Sequence, residues 1–349
     1  MTSPQPRLAP RRSLLSQLDP YRGLIALVIV FIAGIVFSPT NQETGENVFL
    51  RSDVQTALFR RIAEFGILAA GMTFVILTGG IDLSVGSVLA FSAMTFTYFL
   101  IRQEWSAPLS VIMGVGIGMV CGLLNGAIIS WLKLQPFVVT LAMMVFARGA
   151  ARWISNSEKI QTELRMLPTG QFDRDVPEIF RVWGGRVWSD APVAFLNEIF
   201  VVTVVFVVIV LIGHLILSKT GYGRRVYSIG GNEEAARFSG INVALNKTMV
   251  YIICGGLAGV AGVFNASQVG MGDPSSGLYL ELDAIAAVVI GGTTLTGGRG
   301  GMLLTLLGVL IIGYIDTILS INNVPDPWRL MSKGMIIVVA VLIQQRRQD

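Results

Sequence analysis

Apolar and polar positions along this chain come in long blocks rather than in alternation. Apolar runs occupy residues 23–37, 57–79, 83–101, 109–132, 137–154, 195–217, 247–267, 282–296, 302–320 and 328–344, with polar joints between them. A run of roughly 20 apolar residues matches the length of a helix crossing the hydrocarbon core of a bilayer. The pattern predicts an all-α polytopic membrane protein of about ten transmembrane helices, forming one membrane domain over 21–345. Residues 1–20 form a polar leader and 346–349 a short tail.

Composition sharpens this picture. Of the 349 residues, 53% are hydrophobic and only 14% charged, where a soluble domain carries about a quarter charged. The 39 glycines show no collagen period and suit helices that pack closely in lipid. The +4 net charge fits cytoplasmic loops rich in lysine and arginine and is no argument for nucleic acid. Cys121 and Cys254 both fall inside apolar runs and read as small buried hydrophobes. His214, the one histidine, lacks companions for a metal site and reads as an interfacial or packed residue.

Charge also orients the chain. Arg7, Arg11 and Arg12 precede the first run as in a signal peptide, but the following "SPTNQ" offers no small-residue cleavage site. The first run is therefore expected to stay as a helix, with its leader inside. Ten spans then place both termini inside, together with Lys133, the segment 218–246 (Lys219, Arg224, Arg225, Arg237) and "QQRRQD". The segment 38–56 and the long insertion 155–194 fall outside, and Arg60 and Arg61 run against the bias.

Two polar joints echo each other. "GGIDLSVG" (79–86) and "GGTTLTGG" (291–298) share Gly-Gly-x-x-Leu-Ser/Thr-x-Gly at the same spacing. Ten spans put both on the same face, as a parallel repeat would, although glycine-rich membrane chains also produce such matches by chance. Glycine-interrupted joints in two halves point to a transport pathway, where non-helical backbone is tolerated.

Enzymatic chemistry finds little support. The chain has no Gly-x-x-x-x-Gly-Lys-Ser/Thr loop to cradle ATP phosphates, no metal-ligand cluster and no nucleophile paired with a histidine. An ion-driven carrier needs a titrating or ion-coordinating group in mid-membrane, and Asp82 and Asp316 are the reasonable candidates. Asp82 reads first as a cap on the helix expected to start at Leu83. Arg148 and Arg152 are expected to snorkel to the outer headgroups.

One polar stretch stands apart: "GGNEEAARFSGINV", residues 230–243. Gly230 and Gly231 are expected to break the preceding chain, and Asn232 to N-cap a helix. Glu233 and Glu234 suit its first turn, Ala235, Ala236, Arg237 and Phe238 continue it, and Gly240 suits a C-terminal cap. Two turns are too short to stand alone in water. The segment reads as a docking element, with Phe238 as its apolar contact, over the plainer reading of a solvated turn.

These residues resemble a known family. "EAARFSG" (234–240) resembles the Glu-Ala-Ala-x-x-x-Gly coupling loop of ABC importer permeases, without the Ile-x-Leu-Pro that often follows it. "YSIGGNEEAARFSGINV", "GMTFVILTGGIDLSVGS" (71–87), "LKLQPFVVTLAMMVFARG" (132–149) and "LELDAIAAVVIGGTTLTGGRGG" (280–301) together resemble the ribose/galactose-type sugar permeases, closest to the galactofuranose branch. The resemblance covers most of the chain from about residue 60; the insertion 155–194 is larger than the family leads one to expect.

The resemblance implies the inner-membrane subunit of a bacterial monosaccharide importer, for a pentose or a hexose such as galactofuranose. A second permease chain, identical or related, would enclose the pathway, and a periplasmic binding protein would deliver the sugar. A separate ATPase would bind the ATP and magnesium, leaving no cofactor in this chain. The coupling helix would span 232–240. The pathway would run beside Thr78, Gly79, Gly80, Asp82 and Ser84 and beside Gly291, Gly292, Thr293, Thr294 and Thr296. An ion-coupled secondary sugar carrier is the alternative.

Overall fold

Where the sequence places apolar runs, the chain forms helices. The computed structural model describes residues 22–43, 45–161, 164–166, 172–174, 177–187 and 199–345; the leader, the tail and much of the insertion lie outside the described residues. The helices are α1 (Arg22–Val36), α2 (Ser52–Leu77) and α3 (Val85–Thr97), which runs on as a π-helical turn over Tyr98–Arg102. Then come α4 (Ala107–Trp131), α5 (Pro136–Ile154) and the short α6 (Glu178–Gly184) of the insertion. The second half comprises α7 (Val201–Lys219), α8 (Gly221–Gly231), α9 (Glu233–Phe238), α10 (Val243–Val269), α11 (Leu280–Gly291), α12 (Met302–Ile321) and α13 (Asp326–Gln345). A ribbon of two three-residue strands, β1 (Leu164–Met166) and β2 (Phe172–Arg174), pairs antiparallel inside the insertion. The helical class expected from the sequence holds.

Among the described residues, six helices are long and apolar enough to cross a membrane: α3 with its π turn, α4, α5, α7, α10 and α12. Helix α2 has 26 residues but carries Arg60, Arg61 and Glu64. The expected span 282–296 is corrected. Helix α11 stops at Gly291 after 12 residues, about 18 Å at 1.5 Å per residue. Positive φ at Gly292 (113°), Gly297 (88°) and Gly298 (72°) keeps the chain non-helical until Met302.

The centre of the fold is α10, which packs along α4 with almost no side chain between them. Gly114, Gly118, Gly122 and Gly126 recur every fourth residue on α4, and Gly255 and Gly259 face them from α10. A Cβ added at Gly118, Gly122 or Gly126 would fall within about 3.0 Å of α10 backbone atoms. This is small-residue packing, in which close backbone approach replaces the hydrophobic drive that lipid cannot provide.

The joints sort to two ends of the bundle. At one end the loops 78–84, 132–135, 220–242 and 292–301 come together: Thr140 Oγ1 donates to the Ile81 carbonyl at 3.3 Å, and Tyr227 Oη to that of Gly300 at 2.9 Å. At the other end Asn47 Nδ2 donates to the Ile35 carbonyl at 2.8 Å, and Ile160 bridges to Gly272. There Lys159 pairs with Asp273 at 2.9 Å, and Trp183 of α6 stacks on Phe264 at 5.1 Å. Phe31, Phe49 and Tyr314 form an aromatic cluster with centroids 5.5–5.6 Å apart.

Candidate functional site

Helix α8 builds the platform for the site. Thr220 caps it by accepting the Gly223 N–H at 3.2 Å, and Gly223, Val226 and Ile229 form its buried face. Gly230 and Gly231, expected to break the chain, are instead its last two residues. The break falls at Asn232, which is extended (φ −161°, ψ 106°). Gly230 is there for space: an added Cβ would collide with the Leu77 carbonyl and would lie 2.5 Å from the Gly298 nitrogen.

Helix α9 follows at once. Asn232 Oδ1 accepts the Ala235 N–H at 2.9 Å, the N-cap expected from the sequence. Glu233 pairs with Arg237 at 3.2 Å and with Lys247 of α10 at 2.6 Å. Ala236 is buried with Ile229, Ile241 and Val243, which anchors the helix to its flanks. Gly240 is left-handed (φ 82°), one residue beyond the C-cap Ser239, where the sequence calls for a cap. Phe238 projects outward, 90% exposed, and Glu234 and Ala235 are exposed beside it.

Both glycine joints lie under this platform. At the first, Thr78 Oγ1 donates to the Val75 carbonyl at 2.8 Å and Gly79 has φ 77°. Asp82 is 1% exposed and accepts from Ser84 N at 2.9 Å and Ser84 Oγ at 2.5 Å. Helix α3 starts at Val85 rather than Leu83, so Asp82 closes a turn just ahead of the helix. Asn125 Nδ2 donates to Ser84 Oγ at 3.0 Å, tying α4 to the joint.

At the second joint, Thr294 Oγ1 donates to the Gly297 carbonyl at 2.9 Å, and Gly301 N donates to Thr293 Oγ1 at 3.3 Å. Tyr227, whose hydroxyl burial pushes up from its ordinary pKa, donates to the Gly300 carbonyl. The two echoing stretches share a place but not a conformation, because the first re-enters a helix at Val85 and the second stays a loop to Gly301. Of the ten joint positions singled out in the sequence, Gly79, Gly292 and Thr296 are exposed and Thr294 is partly exposed. Thr78, Gly80, Asp82, Ser84, Gly291 and Thr293 are buried within the chain.

Several of the charges inside the apolar runs are paired. Asp316 lies 2.7 Å from Arg61, 3.8 Å from Arg329 and 3.9 Å from Lys333, and Lys333 also reaches Asp283 at 2.9 Å. Glu64 accepts from Asn265 Nδ2 at 2.8 Å. Arg148 is corrected from a snorkelling role: its NH1 donates to the carbonyls of Pro274 and Ser276 at 2.8 and 2.7 Å. Cys121 and Cys254 are buried free thiols, and no group of metal-binding side chains occurs among the described residues.

Sequence reasoning misses the α4 glycine run and the hydrogen bond from Asn125 to Ser84. The first has a legible signal, Gly every fourth residue over 114–126. The second has none, because Asn125 lies 41 residues from Ser84.

The profile of a family described as "Branched-chain amino acid transport system / permease component" matches residues 55–341. The ribose import permease protein of Bacillus subtilis (strain 168) is 37% identical over 334 residues, 96% of this chain and 94% of that one. The fructose import permease protein of Rhizobium meliloti is 32% identical over 323 residues, 92% of this chain and 84% of that one. The xylose transport system permease protein of Escherichia coli (strain K12) is 33% identical over 338 residues, covering 85% and 86%. No solved structure matches the chain.

Proposed function

We propose, from the premise that this chain belongs to the family of branched-chain amino acid transport system permease components, that it is the membrane-spanning subunit of an ABC importer for a monosaccharide. Relatives named for ribose, fructose and xylose support a pentose or hexose as cargo. Galactofuranose stays within that class on the sequence resemblance alone. The chain sits in the bacterial inner membrane with about ten helices, its termini and the 218–246 segment cytoplasmic and the insertion periplasmic. A binding protein delivers the sugar, a second permease chain completes the pathway, and a separate ATPase binds ATP and magnesium.

The observation that carries this reading is the outward Phe238, 90% exposed, on a capped helix that directly follows α8, whose Gly230 abuts Leu77 and Gly298 at the glycine joints. A helix held from behind and apolar in front can pass a push from a docked partner to the backbone beneath it. Two states of the pathway are then biased by whatever binds one state better than the other.

The test is co-purification of the chain with its cognate ATPase, followed by sugar uptake. Phe238→Ala and Glu234→Lys should each cut ATPase capture and uptake while leaving the purified subunit folded, since both side chains are solvent-exposed. Capture and uptake at the unmodified level in both variants would overturn the docking assignment. Uptake that survives without the ATPase and collapses with the ion gradient would instead establish the secondary carrier.

A further inference from the structure

A groove of about 470 Å³ opens beside α9, between the α4–α5 turn and the start of α10. Lys133, Arg237 and Lys247 line it, against one carboxylate, Glu233. That carboxylate is already shared between Lys247 at 2.6 Å and Arg237 at 3.2 Å. Lys133 has no acidic partner among the described residues and is exposed on a left-handed turn (φ 54°). The N-terminal turn of the 27-residue α10 forms one wall, bringing the positive end of its dipole to the groove. Ile129 and Ser130, from the last turn of α4, also line the groove.

The groove has an apolar threshold as well as a cationic floor. Trp131 (66% exposed) ends α4 immediately before it, and Phe137 and Val138 are exposed on the first turn of α5. An exposed tryptophan next to a lysine marks the headgroup level of a membrane protein. From a site at that depth, acyl chains can lie along the exposed apolar faces while an anion sits among the cations.

We propose that this groove binds the phosphate headgroup of an anionic phospholipid of the cytoplasmic leaflet. Phosphate oxygens would accept from Lys133 and from the first turn of α10, and the charge would complement a floor carrying three cations and one acid. The inference rests on the membrane placement of the chain and not on which sugar it carries. Since Glu233 and Arg237 belong to the proposed coupling helix, an occupied groove would brace that helix from its membrane side.

The experiment is retention of phosphatidylglycerol over phosphatidylcholine by the purified full-length chain, read by native mass spectrometry after partial delipidation. The unmodified chain should retain phosphatidylglycerol selectively. Lys133→Gln should lower that retention roughly five-fold, the effect of one cation near an anionic surface, and Lys133→Arg should keep it. Equal retention by the unmodified and Gln chains overturns the proposal. Displacement by excess inorganic phosphate makes the groove a free-anion site and also overturns it. One-for-one displacement of the lipid by the cognate ATPase would assign the groove to that protein and overturn the proposal as well.

Discussion

The backbone N–H of Gly298 donates to the carbonyl of Leu77 at 3.0 Å, joining the second glycine joint to the end of α2, 221 residues earlier in the chain. Gly230, the penultimate residue of α8, rests on that bond so closely that no side chain fits between them. A movement of α8 therefore presses on the C-terminal end of α2 and on the loop after α11 without any flexible side chain in between.

Gly230→Ala tests this contact. The added methyl must displace the Leu77 carbonyl or the Gly298 nitrogen. We expect a loss of about 1–3 kcal/mol, the usual range for overpacking. Thermal melting of the solubilised chain should register it, and uptake should fall even in preparations that still capture the ATPase. Gly231→Ala, with nothing within 4 Å of its Cβ position, serves as the matched control.

The α4–α10 seam makes a second contrast. Gly122→Ala places a methyl against the Tyr251 carbonyl, whereas Gly116→Ala on the same helix meets nothing within 4 Å. The first should destabilise by about 1–3 kcal/mol. The second should be neutral or slightly stabilising, because alanine is the better helix former. Comparable melting temperatures for the two variants would remove the close-packing account.

The caps of α9 set how stiff the coupling helix is. Asn232→Ala removes the acceptor of the Ala235 N–H and should cost about 1 kcal/mol of local stability. Hydrogen exchange at Ala235 and Ala236 should speed up by about five-fold, while the seam helices α4 and α10 exchange as before.

Lys333 bridges Asp283 and Asp316 at 2.9 and 3.9 Å, fastening α13 to α11 and α12. Lys333→Met leaves Asp283 without that cation and should destabilise by about 3 kcal/mol, the low end for breaking a buried pair. Combining it with Asp283→Asn should restore part of the loss. Arg61, Arg329 and Lys333 surround Asp316 as a structural ion cluster, so uptake by Asp316→Asn chains that remain folded should persist when the ion gradient is dissipated.

Much of the site is legible in the sequence because its signals are local. Asn232 three residues before Ala235, Glu233 and Glu234 in the first turn, and Gly240 past the end specify a capped two-turn helix from neighbouring residues alone. Gly230 misleads for the opposite reason. A glycine looks like a breaker from its neighbours, and only the Leu77 carbonyl explains why one sits inside α8. Arg148 misleads likewise, since its acceptors Pro274 and Ser276 lie 126 and 128 residues away.

Hydrophobic run length and capping act over a few residues, so the helical class, the approximate limits of the long helices and the capped segment at 232–240 follow from local pattern alone. Tertiary structure alone decided that α11 ends at Gly291, that the echoing joints differ in conformation, and that both meet beneath Gly230. Those outcomes depend on backbone atoms brought within contact distance from far along the chain. Glycine permits such approaches wherever it occurs, but only the folded neighbours determine which of the 39 glycines makes one.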